Sequence, residues 1–569
     1  MTGSLTAAPA IHRRGLMLSA LAAGAAASRS GEAGAAAAGR GGTVRIGMTA
    51  ADIPLLTGQP DQGLEGYRFA GYTIYDSLVN WDLSRRDPAP ALVPGLALSW
   101  AADPVDRRDW VFRLRPGVRF HDGSAFDAEA VVWNLDKCFN PQSPQFDPRQ
   151  SGQVRGRVGR ISGYAVIDPA TVRISTPEVD AFLPYQISYV LFSSPARWEA
   201  LGRDWNRVNG SPSGTGPFRV DRAVARERLE LVRNDNCWDP ARIPKVDRLV
   251  LLPVPDATMR TAALLSGQID WAEAPAPDML DQLRANRMQI VTNVYPHIWP
   301  YEPSRLPGSP WNDLRVRRAV NLGIDREGLA QLLGGTMKPA AGYVYEGHPW
   351  FGNPGFRITY DPDRARALLR EAGFGPANPL VLRVAISTSG SGQMQPQPMN
   401  EFIQQNLSEI GVDLQFEVLE WETLRGRRRV GAQAEANRSI SAINNSYGPI
   451  DPFTAFIRQF DSHSDAPAGM NWGRYRNPEV ESLIRRAQNS FDVPEQDALL
   501  ALTPAVELLS LDFLHPEDAL LARAHTALVD DAAYVFVAHD LNPRAMSPRV
   551  RGYVQAQSWF PQLTDLYMV

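Results

Sequence analysis

From Thr43 to its last residue the chain alternates strand-like and helix-like segments, joined by Pro- and Gly-rich connectors with no break in composition. That alternation constrains the fold more than any other feature, and it specifies α/β architecture. Strand candidates are the apolar or β-branched runs at 43–47, 172–175, 229–233, 248–253, 381–386 and 413–418. Helices carry their own punctuation. The stretch YDPDRARALLREAGF (360–374) opens on Asp361-Pro362 as cap and first position. It puts Ala365, Leu368, Leu369 and Ala372 on one face and closes at Gly373. NDLRVRRAVNLGIDREGLAQLLGG (312–335) reads as two consecutive helices, the second capped by Asp325.

FRLRPGVRFHDGSAFDAEAVVWNLD (112–136) packs several local codes together. A strand through Phe112 and Leu114 meets a Pro116-Gly117 turn, a second short strand spans Val118 to Phe120, and His121-Asp122-Gly123 turns the chain again. Asp127 then caps a helix whose apolar stripe is Ala128, Val131, Val132 and Leu135. His121 invites a catalytic reading, but the elements around it are fully specified without one, so the turn reads as construction.

Composition narrows function by exclusion. The length, 569 residues, corresponds to about three or four domains' worth of chain. A net charge of −4 gives no electrostatic reason to expect nucleic acid as a partner. Lys137, Lys245 and Lys338 are the lysines among 58 basic residues, and this arginine bias reads as genomic rather than functional. HRRGLMLSALAAGAAA (12–27) has paired arginines, a modest apolar run and small residues, the pattern of an export leader resembling a twin-arginine signal, with His12 in place of the usual Ser or Thr. Ala27 and Ala38 both fit a cleavage site, and residues 1–42 are set aside as signal and leader. A periplasmic location is expected. Cys138 and Cys237 are the two cysteines; a disulfide between them and two separate buried thiols both remain open. HExxH, CxxC, phosphate-loop and GxSxG motifs are absent, so no metal, cofactor or catalytic residue is expected. STSGSGQ (387–393) is either an anion cradle or a plain strand–helix connector.

Several blocks, in order along the chain, resemble the family 5 extracellular solute-binding proteins, the peptide, nickel and oligosaccharide receptors of ABC importers. They are YDSLVNWD (75–82), LVPGLALSW (92–100), WVFRLRPGVRFHDGSAFDAEAVVWNLDK (110–137), GTGPFRV (214–220) and IPKVDRLVLLPVPDATMRTAALLSGQIDWAE (243–273). PWNDLRVRRAVNLGIDREGL (310–329), YRNPEVESLIRRA (475–487) and SPRVRGYV (547–554) continue the match. The resemblance implies a two-lobe periplasmic-binding-protein-like fold with an extra subdomain in the N-terminal lobe. Lobe I would take 43–296 with a return at 541–569, and lobe II 297–540. It further implies a monomer that holds a small solute in the interlobe cleft, closes on it and presents it to an ABC permease and ATPase. A secreted hydrolase of peptides or glycosides, and a periplasmic sensor subunit, are the alternatives.

The ligand chemistry is less determined. Peptide receptors of the family often carry W-x-x-D-x-x-D-P, whose first Asp pairs with the ligand ammonium. Here NNSYGPIDP (444–452) keeps Asp451-Pro452 but has Asn445 and Gly448 at the Trp and first Asp positions. A buried ammonium there would lack its counter-charge. The resemblance therefore leaves a peptide-like, opine-like or oligosaccharide ligand. Ligand contacts are expected from Gln59, Asp61, Glu65 and Arg68 on the glycine-punctuated loop 56–69, from Trp299 and Tyr301 after the first crossing, and from Trp421, Tyr447 and His539. Arg68 would pair a ligand carboxylate and Glu65 an ammonium.

Overall fold

Three larger β-sheets organise the computed structural model, which describes residues 41–87, 89–491 and 516–569; the expected leader lies outside these. The first sheet runs, in spatial order, Gln289–Val291, Arg544–Met546, Trp271–Glu273, Thr43–Met48, Arg248–Pro253, Arg228–Arg233 and Phe218–Val224. Thr43–Met48 lies at its centre, parallel to both neighbours, and buries Val44, Ile46 and Met48. The second sheet runs Met337–Pro339, Val535–Asp540, Trp299–Pro303, Ala442–Asn444, Leu380–Ser387 and Val412–Leu419. Its two longest strands, Leu380–Ser387 and Val412–Leu419, pair in parallel over eight residues, joined by the helix Pro396–Glu409. Every strand expected from the six apolar runs forms in one of the three sheets.

The third sheet is antiparallel, in the order Ala97–Ala102, Asp109–Leu114, Thr171–Ser175, Gly163–Asp168. The helix Ala128–Phe139 packs on it, and the Asp127 carboxylate accepts from the Ala130 N–H at 2.9 Å. Ala128, Val131, Leu135 and Cys138 are the buried face; Val132 is half-buried. Val118 to Phe120 does not form the expected strand. Its one ladder contact is an isolated bridge between Arg119 and Ala125, made by the Phe120 N–H to the Ser124 carbonyl and the Phe126 N–H to the Val118 carbonyl, and the tight turn closed by the Gly123 N–H leaves no room to extend it. His121 spans from this turn to the loop 214–216, accepting from the Gly214 N–H at 3.4 Å and donating from Nε2 to the Gly216 carbonyl at 2.9 Å. Burial pushes its pKa down to about 4, so the ring is a neutral cross-brace. Cys138 and Cys237 are free thiols, both buried.

The chain passes between the first two sheets through 292–298 and 541–543. The crossings are tied by the Asn293 N–H, which donates to the Leu541 carbonyl at 3.0 Å, and by the ring of His297. His297 Nδ1 accepts from the Asp540 N–H at 2.9 Å, and its Nε2 donates to the Gly392 carbonyl at 3.1 Å. The Asp540 carboxylate accepts from the Tyr295 hydroxyl at 2.8 Å, and His539 Nδ1 donates to the His297 carbonyl.

Candidate functional site

A small cavity, about 70 Å³ with the two sides closed together, collects residues from both sides of the crossings. Gly63, Leu64, Arg157 and Tyr189 line it from the segment before the first crossing, and Trp559 from the return after the second. Ser391, Trp421 and the turn 445–448 line it from the segment between. Three hydrogen bonds join the opposed walls directly. The Glu65 N–H donates to Ser391 Oγ at 3.1 Å, Arg425 Nη2 to Gln153 Oε1 at 3.0 Å, and the Tyr189 hydroxyl to Asp451 Oδ2 at 3.3 Å. These contacts require the two sides to be closed on each other.

One helix supplies most of the charge. Trp421–Val430 starts at Glu420, whose carboxylate accepts from the Thr423 N–H at 3.0 Å. Trp421, Arg425, Arg428 and Arg429 recur at helical spacing and share the face that lines the cavity. Arg458, four residues after Thr454, faces the same space from the short helical segment 453–460. Arg157 completes the set from the opposite wall; it is 5% exposed and lies 4.4 Å over the Tyr67 ring.

The five guanidiniums are unequally compensated. Arg425 pairs with Glu422 at 2.6 Å, and Arg429 shares that carboxylate at 3.7 Å. Arg428 stands 3.7 Å from Glu302, 3.1 Å from the Tyr447 hydroxyl and 2.8 Å from Gln459 Oε1. Tyr447 donates its own hydroxyl to Glu302, so Arg428, Tyr447 and Glu302 form one buried unit. Among the described residues, Arg157 and Arg458 have no carboxylate within 4 Å. Burial first, and Arg425 next, push Arg429 down to about 10; burial with Arg428 and Arg157 pushes Arg458 down to about 9. Arg429 and Arg458 remain cationic at neutral pH, crowded by their own kind.

The turn 445–448 is fixed by backbone pairing of Tyr447 with Ile298, at 2.8 and 2.9 Å, and so moves with the first crossing. A Cβ on Gly448 would stand 3.1 Å from Leu64 Cδ1. The apolar Leu64, reaching from the other wall, occupies the ground where an acidic side chain would point. Asp451 is spent elsewhere, accepting from the Thr454 N–H at 2.9 Å and hydroxyl at 2.7 Å and from Tyr189.

Of the nine residues expected to touch ligand, Trp421 and Tyr447 line this cavity. Glu65 and Arg68 turn into the edge of the first sheet. Glu65 accepts from the Thr49 N–H at 2.6 Å, and Arg68 lies 2.6 Å from Glu273, which also holds Arg544 at 2.9 Å and Trp271 Nε1 at 2.7 Å. Their charges are matched within one lobe, which explains why neither reaches across. Gln59 bridges the Leu191 carbonyl and the Tyr67 hydroxyl, and Asp61 accepts from the Leu55 N–H at 2.8 Å. Trp299 and Tyr301 are core residues of the second sheet, bonded to Gln393 and Asn400. His539 belongs to the crossing. Sequence reasoning passed over the five arginines because they sit in an arginine-rich chain; the signal was the spacing of cations on the face that begins at Trp421. The 387–393 loop brings Ser391 to the wall.

Comparison with known proteins places the chain. Residues 91–466 match the bacterial extracellular solute-binding proteins, family 5 Middle. Di/tripeptide-binding protein 2 of Pseudomonas aeruginosa is 26% identical over 460 residues, covering 77% of this chain and 83% of that protein. The glutathione-binding protein GsiB of Pectobacterium atrosepticum is 26% identical over 416 residues, covering 69% and 74%. Among solved structures, the periplasmic binding protein DppA from Helicobacter pylori, in complex with the peptide STSA, superposes with a TM-score of 0.76 at 20% identity, over 93% of this chain and 98% of that one. On the family match over residues 91–466, the chain belongs to the bacterial extracellular solute-binding proteins of family 5.

Proposed function

We propose that the protein is a periplasmic receptor, exported by the twin-arginine route, that captures a small solute in the arginine-lined cavity and delivers it to the permease and ATPase of an ABC importer. Its lobes divide at 296/297 and 540/541, and it works as a monomer. The observation that carries this reading is the enclosure itself: residues from both sides of the crossings wall the cavity, and three direct hydrogen bonds join those walls. A solute that touches both walls binds the closed form better and shifts the hinge equilibrium towards it. The relatives named for di- and tripeptides and for glutathione support a peptide-like solute. Gly448, packed by Leu64, argues against one held by a free ammonium at that point. Non-denaturing mass spectrometry of the purified protein should find a co-purifying small solute. Small-angle scattering should show a smaller radius of gyration once that solute is restored to stripped protein. A radius that does not change would refute closure as the mechanism.

A further inference from the structure

Resting on that receptor reading, we infer that the solute is a small dianion or higher polyanion, whose negative groups are held by Arg157 and Arg458 across the cavity while Trp421, Tyr447 and Trp559 cover its apolar part. Two independent observations converge on this. The first is charge: five guanidiniums line a closed space, Glu422 and Glu302 serve three of them, and Arg157 and Arg458 have no carboxylate among the described residues. Asp451, seven residues before Arg458, is already engaged by Thr454 and Tyr189. Uncompensated cations in a closed cavity repel one another at low dielectric, and the depression of Arg458 and Arg429 reflects that repulsion after burial.

The second is hydrogen-bond polarity. The buried unpartnered polar atoms on the lining residues are Nε of Arg157 and Arg458, Nη2 of Arg429, and Nε1 of Trp421 and Trp559. Every one is a donor, and among the described lining residues no buried side-chain acceptor is left open. A cavity with surplus donors is satisfied by an acceptor-rich ligand, and carboxylates and phosphates are the ligands that offer acceptors with charge. The arginines stand on opposite walls, Arg157 on one and Arg458 on the other, so anionic groups at two points would bridge the lobes and drive closure.

The shared chemistry can come from a dicarboxylate, such as an acidic acylated peptide or an amino-acid conjugate, or from a phosphate ester. Calorimetry at low salt on protein stripped of solute separates the sources, with N-acetyl-alanylglutamate, its uncharged diamide and a hexose monophosphate as probes. The diacid or the phosphate should bind at least about tenfold more tightly than the diamide, with affinity falling as salt is added. Arg458→Gln and Arg157→Gln should each weaken that probe about tenfold or more and leave the diamide unaffected. Arg458→Gln should also raise the melting temperature of the ligand-free protein, since it removes a crowded cation that makes no hydrogen bond; a merely structural arginine would lower it. Equal affinity for diacid, phosphate and diamide, or an Arg458→Gln variant that keeps full affinity for the anions, overturns the inference. If the solute recovered by mass spectrometry is neutral yet compacts the protein, the inference fails and the receptor reading stands. If no solute compacts it, the receptor reading itself fails.

Discussion

Trp299 and Trp421 are the same residue type, both buried, and they do different work. Trp299 is fully buried in the core of the second sheet with its indole N–H donated to Gln393 at 3.1 Å, whereas Trp421 lines the cavity with its N–H unpartnered. Trp299→Ala should therefore cost about 3–5 kcal/mol of stability as a core cavity, while the folded fraction keeps its ligand affinity. Trp421→Ala should weaken binding by about 1–3 kcal/mol as a lost anchor. Denaturant melts beside calorimetry on both variants will show whether the two penalties separate in this way. At the same scale, Gly448 is a substitution with its complement visible: the acid that peptide receptors often carry there is gone, and Leu64 fills the ground. That departure was legible in the sequence; the leucine opposite it was not, because it arrives from residues nearly four hundred positions away.

The helix Trp421–Val430 shows what sequence can and cannot say about an element. Its existence and cap follow from local chemistry, as they do for Ala128–Phe139 and Pro362–Glu371. The strands, too, were readable from apolar runs, because each buries side chains through its own pattern. The Val118–Phe120 segment was misread because pairing is a property of the neighbour, and here the tight turn leaves no room to extend the one bridge. The cavity was hidden for the same reason. Arg157, the 425–429 cluster and Arg458 lie far apart in sequence, and which charges are already spent, as at Glu65 and Arg68, depends on partners as remote as Glu273 and Arg544. Two arginines of the one helix make a direct test. Arg425 reaches across to Gln153, while Arg427 pairs at 2.7 Å with Glu417 of its own side. Arg425→Ala should open the ligand-free protein, read as a larger radius of gyration in scattering, and Arg427→Ala should leave it unchanged. Equal radii for the two variants would remove Arg425 from the closing contacts.

For the molecule as a whole, acid should be the damaging direction. Burial pushes His297, His348 and His525 down to about 3, and His121 and His539 down to about 4. A histidine held neutral in the folded state and free to ionise when unfolded adds stability that is complete above the unfolded pKa, about 6.5, and drains away as pH falls towards the folded value. Each can cost up to about 1.4 kcal/mol per pH unit over that window. Asp540, pushed up to about 6 by burial, works the other way, gaining stability as pH falls from about 6 towards 4. Burial also raises Asp61, Glu65, Asp180 and Asp451, but the five histidines begin to drain stability from about 6.5, so the melting temperature should drop between pH 7 and pH 5. A flat profile over that interval would mean these rings are not held neutral.

The ring of His297 has a mechanical meaning as well. Two separate strands between rigid bodies permit bending and also torsion, since each can lengthen or rotate on its own. Stitched together through the imidazole and the Asn293–Leu541 backbone bond, with a further stitch to the loop that carries Ser391, they should bend as a ribbon more readily than they twist. Walls carried on such a ribbon would meet in one register on each closure, bringing the arginines on one side back to the same place opposite Arg157.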